Sequence, residues 1–451
     1  MKAAVIGAGL AGVEAAWQLI KHGISVDLYE MKPEKRSPAH KTDWFAELVC
    51  SNSLKAERHN SAAGLLKEEM ASFGSLCVES ALQSRVPAGG ALAVDRDRFS
   101  EYITKKIEEN PHITVIHKEV TDLPDGYDTV IIAAGPLASD GISETVRALA
   151  GDGLSFYDAA APIVTAESVD MNEAFTQSRY DRGGADDYIN CPLDKAQYEA
   201  FYEALVTAES AELHSFDKRK DVYEGCMPIE VLASRGKEAM RYGPLKPVGL
   251  VNPKTGHRPW ANLQLRKENC AGTLYNLVGF QTNLKFGEQK RVFSMFPALK
   301  NAEFVRYGVM HRNTFLDSPR HLNGDFSLRN RPEIFFAGQI TGVEGYMESA
   351  ASGILAGLNA ARRLQALQTV ILPETTMMGA LARYISDESV RDFQPMGANF
   401  GVLPPLDEKI RDKALRYTAL ADRAEADLQK FRVTEIIRTT VSRGGFALTL
   451  R

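Results

Sequence analysis

The sequence predicts an α/β protein: a doubly wound Rossmann-type core, split by a mixed α+β insertion and followed by a C-terminal helical tail. Three observations carry that expectation. The first thirty residues read as strand, glycine-rich turn, helix and strand. A buried-strand pattern at Val130-Ile131-Ile132-Ala133-Ala134 breaks at Gly135-Pro136. Far downstream, Glu333 to Phe336 form a short apolar run that leads into Ala337-Gly338-Gln339 and a helix of small residues.

Each element of the N-terminal unit has a physical reason. Ala3 to Ile6 form an apolar strand that ends in Gly7-Ala8-Gly9-Leu10-Ala11-Gly12. Gly7 permits the tight turn, Gly9 lets backbone approach a pyrophosphate, and Gly12 lets the helix lie close on the strand. The helix, Val13 to Lys21, presents free N–H groups and a positive dipole end to phosphates. A second strand, Ile24 to Tyr29, ends at Glu30, where an acid can accept both ribose hydroxyls. The strand, helix, second strand and acid in register predict a dinucleotide site.

The remaining elements select the dinucleotide. In two-part flavoproteins a strand such as Val130–Ile132 returns the chain beneath the adenosine half, which places Ala134 and Gly135 at the cofactor. The late segment Gly338-Gln339 to Gly345-Tyr346 precedes a helix, Met347 to Leu364, that carries Ala350, Ala351, Gly353, Ala356, Gly357 and Ala360. Those residues are small enough for close approach to a sheet or cofactor. The N-terminus of that helix would aim positive partial charge at a flavin edge. Together these features resemble the FAD-binding folds of the glutathione-reductase type, so FAD is the expected cofactor. No second GxGxxG is present for a separate NADPH or NADH domain.

The domain limits follow. Residues 1–160 and 330–365 are expected to form the FAD core, 161–329 an insertion or substrate domain, and 366–451 a C-terminal helical region. Within the insertion, Asp194 to Ser210 and Pro228 to Met240 read as helices, and Tyr275 to Gln281 and Ala302 to Met310 as strands. Thr375 to Asp387 and Asp407 to Leu428 read as helices, and the basic stretch Arg432 to Arg451 as a frayed end in preference to a phosphate contact.

Composition narrows the class. No apolar run approaches the roughly 20 residues needed to cross a bilayer, and only Lys2 could serve as the charged start of a signal peptide. A cytoplasmic protein with no membrane role is expected. Five cysteines without close pairs argue against both disulfides and zinc. The histidines, among them His40, His59, His214, His257 and His311, lack ligand spacing, so no metal is expected. A net charge of −5 requires any nucleic acid to meet a local basic face.

Two cysteines stand out. Cys226, in Tyr223-Glu224-Gly225-Cys226-Met227-Pro228, falls at a helix start, where the dipole favours a thiolate. Cys50 ends an apolar run, Phe45 to Val49, that switches to Ser51-Asn52-Ser53, as expected of a chain entering a polar cleft. On spacing alone a lone cysteine is more often a small buried hydrophobe, and Cys77, Cys191 and Cys270 are read that way.

Four segments now carry a family likeness: Gly7 to Leu19, ELVCSNSLK (Glu47 to Lys55), YEGCMPIE (Tyr223 to Glu230) and FAGQITGVEGYMESAASG (Phe336 to Gly353). They resemble the folate- and FAD-dependent tRNA (uracil-C5)-methyltransferases, the TrmFO family, from Met1 to about residue 430. The resemblance implies transfer of a one-carbon unit from 5,10-methylenetetrahydrofolate to C5 of the T-loop uridine of tRNA, giving 5-methyluridine. FAD is the electron carrier and NADPH or NADH the reductant, and no obligate protein partner is evident. Cys226 is then the better nucleophile candidate, with Cys50 as the acid/base or as a shield; the two roles could be exchanged. Both are expected to face the isoalloxazine.

The anionic folate tail and the RNA backbone need cations. Lys285, Arg291, Arg306, His311 and Arg312 fall in the strand-rich end of the insertion, with a substrate role and plain solvated charge equally open. Tyr346 and Trp260 are candidate stacking surfaces. The nearest alternative is an FAD-dependent tRNA wobble-uridine enzyme, which the YEGCMP stretch and only about 85 residues after the late helix disfavour. The others are a small-molecule flavin oxidoreductase and a tRNA-binding protein with a structural flavin.

Overall fold

Lys2–Ile6 lies in a six-stranded sheet whose order is Ser327–Leu328, Arg331–Phe336, Thr129–Ile132, Lys2–Ile6, Ser25–Glu30 and Ile113–His117. The computed structural model describes residues 1–37, 39–151, 154–159, 161–184, 186–211, 227–269, 271–308, 310–391 and 393–442. Five of the strands run parallel, and Ser327–Leu328 pairs antiparallel at the edge. The central strands read as unbroken apolar runs because helices cover both faces of a parallel sheet. Ile334, Phe335 and Phe336 lie against Val130, Ile131 and Ile132, so a strand from the last third of the chain completes a sheet begun by the first.

Two glycines explain the packing of the two principal helices. Leu10–Lys21 and Tyr346–Leu364 approach so closely that a Cβ on Gly353 would stand 2.1 Å from the Ala11 carbonyl oxygen. One on Gly357 would stand 2.5 Å from that of Ala15. The small residues of the late helix therefore serve a helix–helix contact at backbone distance.

A second six-stranded sheet holds Phe175–Thr176, Tyr188–Leu193, Ala261–Lys267, Leu274–Leu277, Ile163–Thr165 and Phe304–Arg306, all antiparallel. Its core is a separate apolar cluster, centred on Tyr198, Phe201, Phe280, Phe293 and Phe296. Leu154–Ala159 and Met310–Phe315 pair antiparallel where the chain passes from the first sheet to the second and back. A small sheet of Ser53–Ala56, Ala91–Val94 and Arg85–Val86 packs beside the first.

Several limits differ from expectation. The segment Pro228 to Met240 is two short helices, Ile229–Ser234 and Ala239–Tyr242, because Gly236 at φ +143° breaks the run. The strand expected over Ala302 to Met310 is only Phe304–Arg306, and Met310 opens a different strand. The C-terminal helix runs Lys413–Ser442, through part of the stretch expected to fray, while residues 443–451 lie outside the described residues. Among the described residues no helix is long and apolar enough to cross a membrane.

Candidate active site

The glycine turn performs its three tasks with measurable tolerances. Gly7 has φ +98°, and a Cβ there would meet the Ala133 oxygen at 2.6 Å. A Cβ on Gly12 would fall 1.8 Å from the Gly7 oxygen. One on Gly9 would meet nothing within 4 Å, because Gly9 faces a cavity of about 410 Å³. Glu30 lies at the cavity wall, its Oε2 accepting the Ala8 N–H at 2.9 Å and its Oε1 the Lys32 N–H at 3.0 Å.

The same cavity is lined by Gly7, Ala8, Leu10 and Ala11 of the first turn, by Ala134 and Gly135, and by Gly338, Gln339, Gly345 and Tyr346. Gly12 lies beneath the turn instead of on the wall. The Gly338 N–H donates to Ser352 Oγ at 2.7 Å, and Gln339 Nε2 to Glu344 Oε2, which tie the late turn to its helix. An open cradle at Gly9, a pinned acid at Glu30 and a helix N-terminus at Leu10 fit an extended dinucleotide such as FAD.

Cys50 sits at the far wall of this cavity. Its sulfur is 2.9 Å from the Tyr346 hydroxyl, which also accepts the Cys50 N–H at 2.7 Å and the Ser51 N–H at 3.2 Å. Burial, and next the adjacent Cys50, push the Tyr346 hydroxyl well above the usual phenol range, so it remains protonated. Because two amides already donate to its oxygen, the hydroxyl has its own proton left to offer to the sulfur.

Three guanidinium groups hold the Cys50 loop. Arg96 Nη1 donates to the Leu48 oxygen at 2.6 Å, and Arg306 Nη2 donates to the Val49 oxygen. Arg266 donates from Nε to Asn52 Oδ1 at 3.0 Å and from Nη2 to Ser51 Oγ at 3.1 Å. Asn52 in turn donates to the oxygens of Val94 and Lys267, joining the small sheet to the second six-stranded sheet. Arg96 is paired with buried Glu268, whose carboxyl is raised by its burial. Arg96 and Arg306 both interact electrostatically with Cys50, surroundings suited to an anionic sulfur.

The fold also assembles a cluster that the sequence does not announce. Lys55 has φ +64° within a bulge of the Ser53–Ala56 strand, and its ammonium pairs with Glu348 Oε1 at 2.6 Å. Buried Lys67 supports the bulge from below, donating to the oxygens of Leu54, Ala56 and Ala63 at 2.7–2.8 Å. Its burial lowers the ammonium to about 8. Glu348 Oε1 also accepts the Ala398 N–H at 2.9 Å, while Oε2 is buried without a hydrogen-bond partner. A side chain on Gly345 would run into that oxygen at 2.1 Å. A partial signal exists: Lys55 closes the ELVCSNSLK segment and Glu348 lies in YMESAASG. Lone Lys and Glu residues in a sequence point to no partner.

The remaining candidates separate. Arg306 reaches the Cys50 loop, as above. Lys285 pairs with Glu209 at 2.7 Å and Arg291 with Glu288 at 2.6 Å, on exposed ground away from the cavity wall. His311 and Arg312 belong to the Met310–Phe315 strand, with side chains outside the described residues. Cys226 also lies outside the described residues. Cys77 and Cys191 are buried, and burial drives both thiols up, as expected of packing residues. Gln281, Lys32 and His40 line the cavity and were not anticipated.

The chain is similar to known proteins over nearly its full length. The family described as Glucose inhibited division protein A matches residues 2–368. Methylenetetrahydrofolate--tRNA-(uracil-5-)-methyltransferase TrmFO of Lactiplantibacillus plantarum is 56% identical over 429 residues, 95% of this chain and 96% of that protein. The protein of the same name from Listeria welshimeri is 57% identical over 427 residues, 94% and 98% of the two chains. The solved structure of Aquifex aeolicus GidA in its form I crystal gives a TM-score of 0.68 at 16% identity. It covers 98% of this chain and 79% of that one, a likeness that shows the fold. With more than half its residues identical to these relatives over nearly its full length, the chain belongs to the TrmFO family.

Proposed function

We propose that this protein transfers a one-carbon unit from methylenetetrahydrofolate to C5 of the T-loop uridine of tRNA, with NADPH or NADH as reductant. The observation that carries the reading is the Cys50–Tyr346 contact at the wall of the dinucleotide cavity. When bound, FAD supplies the electrons that convert the one-carbon unit to methyl.

The residues divide the remaining work. Uracil C5 is a poor nucleophile until a thiolate adds at C6, which moves electron density to C5. We assign that addition to Cys226. Once the new C5–carbon bond exists and the carbon has parted from its donor nitrogen, which leaves as an amine, a base must take the C5 proton, and the thiolate then leaves C6 to restore the double bond. Cys50 is assigned the proton, with Tyr346 donating to its sulfur and Arg96 and Arg306 beside it. The GidA likeness gives the fold, and the relatives' uracil-5 name favours this reading over wobble-uridine chemistry. A cytoplasmic setting, where tRNA and folate meet, completes the proposal.

One assay tests it. Purified protein receives T-loop-unmodified tRNA, methylenetetrahydrofolate and NADPH, with S-adenosylmethionine replacing folate in a parallel tube. Mass spectrometry of the digested RNA should show 5-methyluridine only with folate. No product from flavin-loaded protein that consumes NADPH would redirect attention to a small-molecule oxidoreductase.

A further inference from the structure

The second domain carries a concentration of positive charge that the reaction chemistry does not use. Residues 235–260 hold six Lys or Arg side chains and one acid, Glu238, in a chain whose net charge is −5. Glu238 is engaged by Arg241, and Lys237 pairs with Glu199 at 3.2 Å. Lys246, Lys254 and Arg258 are exposed, and none has a carboxylate partner among the described residues. Repulsion among such cations is tolerated where an anion completes the surface.

Aromatic rings are interleaved with this charge. The Arg241 guanidinium lies 3.9 Å from the Trp260 ring centroid, and Lys195 Nζ is 5.5 Å from the same ring. Tyr242 is 84% exposed, more than any other large hydrophobic residue described. The surface is built on buried anchors. Met240, Leu245 and Leu250 are buried, the Leu245 N–H bonds the Met240 oxygen at 2.9 Å, and Arg179 Nη1 bonds the Val248 oxygen at 3.0 Å. The cations are thus held by a packed scaffold, which lowers the ordering cost of binding.

Its position is also informative. Trp260 precedes the Ala261–Lys267 strand, and Lys267 at the other end meets the Cys50 loop through Asn52. Seven residues of strand set the two about 20 Å apart. That offset separates chemistry on one nucleotide from contacts along the attached duplex. Duplex RNA is recognised chiefly through phosphates, 2′-hydroxyls and shape, a match for cations held in fixed positions.

We propose that the 235–260 surface, with Lys195, is the docking face for the stem phosphates of the RNA whose uridine enters the Cys50 cleft. This rests on the tRNA reading above. The test compares wild type, Lys246→Glu/Arg258→Glu and the charge-preserving Lys246→Arg/Arg258→Lys. Both positions are exposed and apart from the cavity, so flavin content and NADPH oxidation without RNA should match in all three proteins.

Binding of a T-arm stem-loop is read by fluorescence anisotropy across a salt series, alongside KM and kcat for methylation. The charge reversal should weaken binding and raise KM by about 10-fold or more. It should also flatten the log–log salt slope by about 0.7–0.9 for each phosphate that is no longer neutralised. The charge-preserving pair should behave as wild type. Equal RNA affinity and salt slope in wild type and the reversal would overturn the docking face, and would be the result if the patch serves an acidic protein instead. Wild type that binds the stem-loop more tightly than the reversal yet never methylates it would overturn the proposed reaction while sustaining the face.

Discussion

The Tyr346 hydroxyl meets the Cys50 sulfur at 2.9 Å across 296 residues of chain. One residue comes from the loop beside the small three-stranded sheet, the other from the first turn of the late helix. Their contact exists because the Arg331–Phe336 strand returns to the parallel sheet and the following helix packs on Leu10–Lys21. Tyr346, proposed from sequence as a stacking surface, thus makes its described polar contacts to the cysteine loop.

Tyr346→Phe should keep the flavin and slow methylation by about 100-fold, the range for removal of a positioned acid–base partner. Two part-buried amides, of Cys50 and Ser51, would also lose their acceptor, at about 0.5–1.5 kcal/mol each, so the melting temperature should fall. Cys50→Ala and Cys226→Ala should each retain the yellow flavin and lose 5-methyluridine formation. Either alanine variant working at the wild-type rate would make that cysteine a bystander.

The glycines of the first turn should separate binding from folding. Gly9→Ala adds a Cβ into open cavity, so the apo protein should melt as wild type while FAD affinity falls. Gly12→Ala forces a Cβ to 1.8 Å from a backbone oxygen and should lower stability by about 1–3 kcal/mol. Thermal melts with and without FAD distinguish the two.

Gly353→Ala tests the helix contact. Its Cβ would lie 2.1 Å from the Ala11 oxygen, and backbone on the opposing helix must move. The predicted destabilisation is about 1–3 kcal/mol, together with weaker FAD retention because both helices border the cavity. Full flavin content and an unchanged melt would show that the helices slide apart at little cost.

His59 joins the region beside the small sheet to the C-terminal helix, with Nδ1 at 2.6 Å from Glu68 and Nε2 at 2.9 Å from Asp422. The Glu68 hydrogen bond, then that to Asp422 against a burial penalty, raises the imidazole above its ordinary value. A raised histidine contributes stability that is complete below its unfolded value, near 6.5, and is lost as pH rises through the folded one. Protection factors over the Lys413–Leu428 part of the helix, corrected for the intrinsic exchange rate at each pH, should therefore fall as pH rises above about 6.5, and His59→Gln should remove that fall. Equal pH dependence in the variant would assign it to other groups.

Local pattern was enough for the first unit, because the glycine tolerances and the acid after the second strand are set within thirty residues. It was also enough for Gly338, Gln339 and Gly345, whose turn and helix are contiguous. Pattern could not separate the cations. Lys285 and Arg291 bind local acids, whereas Arg306, only fifteen residues beyond Arg291, reaches the cysteine loop.

Sequence alone determined that a dinucleotide turn, a late strand–helix return and two unusual cysteine segments share one chain, since each depends on residues adjacent in sequence. Tertiary structure alone decided that Arg96, Arg266 and Arg306 converge on residues 48–52, that Lys67 supports the bulge presenting Lys55 to Glu348, and that Tyr346 faces Cys50. Those contacts join residues far apart in the chain. Charge and hydrogen-bond partners at that separation depend on how sheets and helices pack, which no local periodicity encodes.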